Sequence, residues 1–203
     1  MGSLLAPEQV RSLDEQFAAI RGMPAPIPPD QRLRHSIEDV KTGGYIRFER
    51  KSYRVESIST YERDSYRWPE LELYCLNDGS TQYLEWEKED EVSIFVSREK
   101  LTFGQAGLQS KERLWEISEN ESGEARYNGR TFEYHEDSAV NYIRDGDGEA
   151  KPFHQYLFAA DGSKAFIAIE EWGDDDEGYE HNVVLSEYVN PRSIEVLVVG
   201  GPG

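Results

Sequence analysis

The chain of 203 residues has a single cysteine, Cys75, and only two methionines. One cysteine excludes an intrachain disulfide and any cysteine-built zinc site, and it suits a reducing compartment. The N-terminal residues show no basic stretch followed by an apolar one, so no signal peptide is read there. Met1-Gly2-Ser3 is followed at position 6 by Ala6, where myristoylation requires Ser or Thr. No apolar run approaches the length that spans a bilayer. A nucleophile elbow, a phosphate-binding loop, a dinucleotide fingerprint and an H-E-x-x-H helix are all missing. The expectation is a soluble cytoplasmic protein without a recognisable catalytic signature.

Basic residues are also scarce: 22 Lys and Arg stand against 40 Asp and Glu, a net charge of −18. The deficit is uneven. Residues 1–67 hold 11 basic and 10 acidic residues, whereas residues 68–203 hold 11 and 30, a net −19. Such a surface repels nucleic acid and anionic membrane, and attracts basic proteins, metal ions or polyamines. High acidity also serves solubility alone.

Helical periodicity is confined to the start. In PEQVRSLDEQFAAIR (7–21), Val10, Leu13, Phe17 and Ile20 fall on one face, Pro7 suits a first turn and Gly22 a stop. This face is expected to dock on the chain's own domain. The prolines of MPAPIPPD (23–30) predict an extended spacer within a linker over residues 23–40.

From Tyr45 onward the period is two. YIRFER (45–50), SYRVESISTY (52–61), ELELYCL (70–76), TQYLEWEKE (81–89) and VSIFVS (92–97) read as strands, with turns at Arg50-Lys51-Ser52 and Asp78-Gly79. ERLWEIS (112–118) reads as a further lead-in strand. RYNGRTFEYHEDSAVNYI (126–143), HQYLFAA (154–160), KAFIAIEEW (164–172), GYEHNVVLSEYV (178–189) and SIEVLVV (193–199) follow, with turns at Asn128-Gly129 and Asp161-Gly162-Ser163. The predicted fold is all-β: two related antiparallel meanders packed as one barrel- or sandwich-like body, with one N-terminal helix.

DGSTQYLEWE (78–87) and DGSKAFIAIE (161–170) share turn chemistry and face phase, and RFERKSYRV (47–55) aligns with RYNGRTFEY (126–134). The reading is a duplicated β domain over residues 41–199, with units of about 41–105 and 110–199. Chance similarity of short strands competes with it.

The pattern YIRFERKSYRV, YRWPELELYCL, a DGS turn and IAIEEW…EHNVVLSEYVNPRSIEV resembles the bacterial domain-of-unknown-function family 4178 over roughly residues 41–197. The resemblance implies a β-rich bacterial domain of no established activity. Its members' genes tend to neighbour those of polyamine synthesis and membrane stress, which would suit an acidic accessory or polyamine-binding protein.

Candidate chemistry lies mostly in carboxylates. Asp174, Asp175, Asp176 and Glu177 cluster hard oxygen ligands that Ca or Mg prefers, although a solvated hairpin loop has the same composition. DGDGE (145–149) starts like an EF-hand loop, but Ala150 and Tyr156 occupy the positions that require Gly and Glu. His135-Glu136-Asp137 and Glu180-His181 are acid–base or metal candidates if the fold brings them together, against the ordinary structural role of strand-end histidines. Glu70 with Glu72, and Glu85 with Glu87, pair carboxylates on strand faces. With basic residues of 47–67 as phosphate ligands they would fit a Mg-dependent phosphohydrolase in a β tunnel; outward carboxylates that discourage aggregation have the same pattern. Tyr61, Tyr66, Trp68 and Trp172 are candidates for an aromatic patch, with Trp68 and Trp172 open between surface and core, and Trp86 and Trp115 assigned to the core.

The function expected from the sequence is a non-enzymatic binding or accessory protein that engages a basic protein partner or a cation such as a polyamine, without a resident cofactor. The alternatives are the Mg-dependent phosphohydrolase and a DNA-mimic inhibitor.

Overall fold

A computed structural model describes residues 13–145, 148–160, 164–174 and 178–201. The chain is all-β and antiparallel, and its described residues divide into two compact units. Among them, no helix is long and apolar enough to cross a membrane.

The first unit comprises residues 1–59, 68–94 and 189–203. It contains helix α1 (Leu13–Arg21), the single turn α2 (Pro29–Arg32), strand β1 (Tyr45–Phe48), most of β2 (Lys51–Arg63) and β3 (Tyr66–Cys75), β4 (Thr81–Lys88), the start of β5 (Val92–Leu101) and β11 (Glu195–Val198). Its strand order is β11-β1-β2-β3-β4-β5. Alternation sorts the side chains: Leu71, Leu73 and Cys75 of β3 are buried on one face, together with Leu84, which stands opposite Leu71. Phe48 stacks on Tyr53 with centroids 4.5 Å apart.

The β1–β2 turn falls at Glu49-Arg50, one residue before the predicted position, because Phe48 pairs with Lys51. Both turn residues take positive φ, 49° and 65°, without a glycine. The Asn128-Gly129 turn has the corresponding pair, 50° and 75°, and its flanking residues Tyr127 and Arg130 are paired in the same way. The Asp78-Gly79-Ser80 turn is closed by Asp78, whose Oδ1 accepts from the Ser80 backbone N–H and hydroxyl. Burial works against its charge, but Lys51 at 2.8 Å and Ser80 hold the carboxyl well below the usual range. Asp161, Gly162 and Ser163 lie outside the described residues.

Residues 23–40 are anchored to their unit rather than extended away from it. Ile27 N donates to the Leu197 carbonyl at 2.7 Å, Arg32 pairs with Glu195, and Ser36 with Asp39 caps a 3-10 turn that buries Ile37. The four prolines open the segment, but the Ile27 backbone bond and the Arg32 side-chain pair tie it to β11. Helix α1 also departs from expectation. It is held through Ala19, which is 1% exposed and whose carbonyl accepts from the Tyr45 hydroxyl, while Leu13, Phe17 and Ile20 remain exposed. Val10 lies outside the described residues.

The second unit comprises residues 60–67 and 95–188. It holds the rest of β5, helix α3 (Lys111–Glu119), β6 (Glu124–Tyr127), β7 (Arg130–Ile143), β8 (Ala150–Ala159), β9 (Ala165–Asp174) and β10 (Gly178–Val189), in the order β5-β10-β9-β8-β7-β6. The tip of β2 pairs with β7 at Thr60–Ile143, Tyr61–Tyr142 and Glu62–Asn141.

Residues 112–118, predicted as a strand, form α3. Ser110 caps it by accepting from Arg113 N, and Leu114 and Ile117, three apart, face the core. That core contains Phe132, Phe158, Ile167, Ile169, Val183 and Leu185 beneath the helix. Gly123 follows the helix where any Cβ would lie 2.6 Å from Ile117 Cγ1.

Candidate functional site

The register of β7 to β10 lines up two polar rows, one on each face of the second unit's sheet. Ala139, His154, Glu171 and His181 are successive cross-strand partners, and so are Ser138, Gln155, Glu170 and Asn182. Because neighbouring strand residues point to opposite faces, the consecutive Glu170-Glu171 must place one carboxylate on each side.

Glu171 lies on the face covered by α3 and is 8% exposed. A carboxylate that deep needs donors, and it has three: Trp115 Nε1 at 2.8 Å, His181 Nε2 at 2.8 Å and the Tyr156 hydroxyl at 3.3 Å. The ring of Phe103 meets His181 edge-on at 4.9 Å. Burial and the nearby Glu171 charge push the Tyr156 hydroxyl far above its usual range. On the same face, Asp137 accepts from the Ser118 hydroxyl, from Tyr134 at 2.7 Å and from His154 Nε2 at 2.8 Å. Burial opposes the Asp137 charge, but these donors outweigh it and hold the carboxyl below its usual range. Tyr134, buried and bonded to Asp137, is pushed up to about 12.

Two carboxylate–imidazole pairs therefore flank α3. In each pair the carboxylate is engaged by several internal donors. Asp137 and His181, both singled out in the sequence, are here, but their partners are His154 and Glu171 rather than one another. His135 is exposed at the β7 bulge.

On the opposite face, Glu170 accepts from the Tyr61 hydroxyl at 3.2 Å through Oε1, and through Oε2 from Trp172 Nε1 at 3.1 Å and Asn182 Nδ2 at 3.5 Å. Burial raises its pKa above the usual range despite these donors. Aromatic rings surround it: Trp172 stacks on Phe153 at 4.4 Å, Tyr61 meets Phe153 at 5.9 Å and Tyr142 at 5.1 Å.

The other predicted residues are distributed as follows. Trp172 is half-buried in this group, whereas Trp68 is buried in the first unit and donates through Nε1 to Glu85 at 3.0 Å. Asp174 ends β9, its backbone paired with Gly178. Asp175, Asp176 and Glu177 lie outside the described residues, as does Asp147 of the DGDGE segment. Glu70, Glu72, Glu85 and Glu87 do share one face of the β3–β4 hairpin, with Glu70 directly opposite Glu85. Five of the six basic residues of 47–67 that would serve a phosphate form ion pairs with other carboxylates: Arg47 with Glu195, Lys51 with Asp78, Arg54 with Glu56, Arg63 with Glu136 and Arg67 with Glu62. Among the described residues no group of three or more His, Cys, Asp or Glu is placed to hold a metal ion.

Sequence reasoning missed Glu170 and Glu171 as a pair. The signal was present in IAIEEW: two successive carboxylates inside an otherwise apolar strand require that one of them enter the core face.

These features define an antiparallel all-β protein with a hydrogen-bonded carboxylate on each face of one sheet, Glu171 buried and Glu170 half-buried. Residues 41–191 match the family described as "Domain of unknown function (DUF4178)", and the chain belongs to that family. No curated protein and no solved structure matches it.

Proposed function

We propose that this is a non-enzymatic accessory protein of the cytoplasm whose acidic surface engages a cationic partner, either a basic protein segment or a polyamine. The observation that supports this reading is the charge balance of the second unit: 23 acidic residues against 11 basic ones. Several of those bases are already paired internally, among them Arg98 and Arg130 with Glu187, Arg113 with Glu116 and Arg126 with Glu124. Even complete internal pairing leaves 12 negative charges over. A surplus of that size concentrates multivalent cations at the surface and speeds the approach of basic partners.

Calorimetric titration with spermidine and with a short oligolysine peptide tests the reading. Binding is expected at low salt, weakening about tenfold or more towards physiological salt, because exposed charges are screened over a Debye length. Absence of binding by both ligands at low salt refutes the proposal.

A further inference from the structure

We propose that helix α1 is a dimerisation surface: two copies of the chain pair their α1 helices antiparallel, with Phe17 at the two-fold axis. The inference goes beyond the cation-binding reading and does not rest on it.

Leu13, Phe17 and Ile20 are 69%, 54% and 49% exposed, and with Leu33 they are the large hydrophobic side chains that the described residues leave in water. At spacings of four and three they form one stripe on the helix. Exposed apolar side chains are ordinary when scattered singly, but a continuous patch marks an interaction surface. Ala19, by contrast, is 1% exposed and holds α1 to its own unit, its carbonyl accepting from the Tyr45 hydroxyl at 3.0 Å. Two residues beyond Phe17 is about 200° round a helix, so the held side of α1 is opposite the stripe. The stripe therefore points away from the first unit, and two copies joined through it have those units on opposite sides of the helix pair.

The spacing favours a second copy as the occupant. A two-fold interface must complement itself, and this helix does. With Phe17 on the axis, the two Phe17 rings meet. Leu13, four residues before, then comes level with the partner's Ile20, three residues after, to within one residue rise of about 1.5 Å. The charges obey the same symmetry. Asp14 in the first turn and Arg21 in the last are both exposed. Being seven residues apart, they differ by only about 20° round the helix, so both border the stripe on one flank. A two-fold across the helix axes keeps that flank on one side of the pair and sets Asp14 beside the partner's Arg21, twice over. A parallel pair would bring like charges to the same level, and its helix dipoles would add rather than oppose.

The distribution of charge agrees. A chain of net charge −18 repels its own copies, but residues 1–67 balance 11 bases against 10 acids. Helix α1 is within that near-neutral stretch, where the approach of a second acidic chain is opposed least. A helix of nine residues makes a small interface, and small interfaces give weak, reversible complexes.

Analytical ultracentrifugation of the full chain tests the proposal, at concentrations that reach a Kd of about 1 mM. The buffer holds about 0.1 M salt, which screens distant charges more than pairs in contact. Expected is a reversible monomer–dimer equilibrium. F17E sets two carboxylates together at the axis and should be monomeric throughout. D14R and R21D each replace attraction by repulsion at two symmetric contacts, and should each weaken dimerisation about tenfold. The double variant D14R/R21D restores the attraction and should return to within about threefold of the wild type. All three positions are exposed, so far-ultraviolet circular dichroism should be unchanged in every variant. A full chain that stays monomeric, a dimer that survives in F17E, or a double variant no better than the single ones overturns the proposal.

Discussion

Replacing Glu171 by Ala should be among the most damaging single changes in the second unit. The carboxylate is 8% exposed and satisfies Trp115, Tyr156 and His181 at once, so its removal orphans three donors in a site closed by α3. Removing one partner of a buried charged pair costs about 3–5 kcal/mol, and each hydrogen bond to a charged group about 1.5–3 kcal/mol. Water entering the vacated volume recovers part of the sum, and a net loss of about 4 kcal/mol is expected. That is a change of nearly a thousandfold in the unfolding equilibrium, since about 1.4 kcal/mol is a factor of ten. Urea unfolding followed by tryptophan emission and far-ultraviolet circular dichroism measures it. If the two units melt separately, the shift falls on the transition of the second. E171Q should cost less, because one oxygen still accepts. In the E171A background, His181→Leu should add little, giving a coupling energy of about 1–3 kcal/mol. A loss below about 1 kcal/mol for E171A, the range of an ordinary exposed substitution, would refute the claim that this carboxylate organises the α3 face.

Asp137 has a folded-state pKa below its unfolded one, so the native state binds fewer protons there. Its stabilising contribution is present above the ordinary carboxylate range and is lost as pH falls through that range and then through the lowered folded value. Acid unfolding monitored by circular dichroism should therefore be less steep in D137N, which should also lose about 2 kcal/mol at neutral pH through its weakened bonds to Ser118, Tyr134 and His154. Gly173 has φ +95°, and a Cβ there would lie 2.2 Å from the Gly178 carbonyl oxygen. Gly173→Ala should lower stability by about 2–3 kcal/mol in a thermal melt, and a neutral result would show that the β9–β10 end relaxes freely.

Much of the fold was legible in order along the chain. Period-two alternation marked the strands, and Asp78-Gly79 and Asn128-Gly129 marked turns through the positive φ those residues tolerate. The family resemblance rested on the same aromatic strand pattern. Elsewhere local rules pointed the wrong way or were silent. ERLWEIS satisfies alternation and helical spacing equally, and Ser110 as a cap with Leu114 and Ile117 three apart decided for the helix only once a core existed to receive them. The Glu49-Arg50 turn has no glycine or asparagine to announce it; the pairing of Phe48 with Lys51 imposes its backbone.

The candidate site divides in the same way. Sequence alone determined that carboxylates greatly outnumber cations, and that Glu170 and Glu171 must face opposite sides of whatever strand contains them. Which side is covered by α3, and which donors reach each oxygen, depended on cross-strand register. His154, Gln155, His181 and Asn182 are separated in the chain by up to 28 positions yet lie in two adjacent rows. Local propensity acts over a few residues, whereas register is set by the burial of whole faces, so only the tertiary structure could place these side chains together.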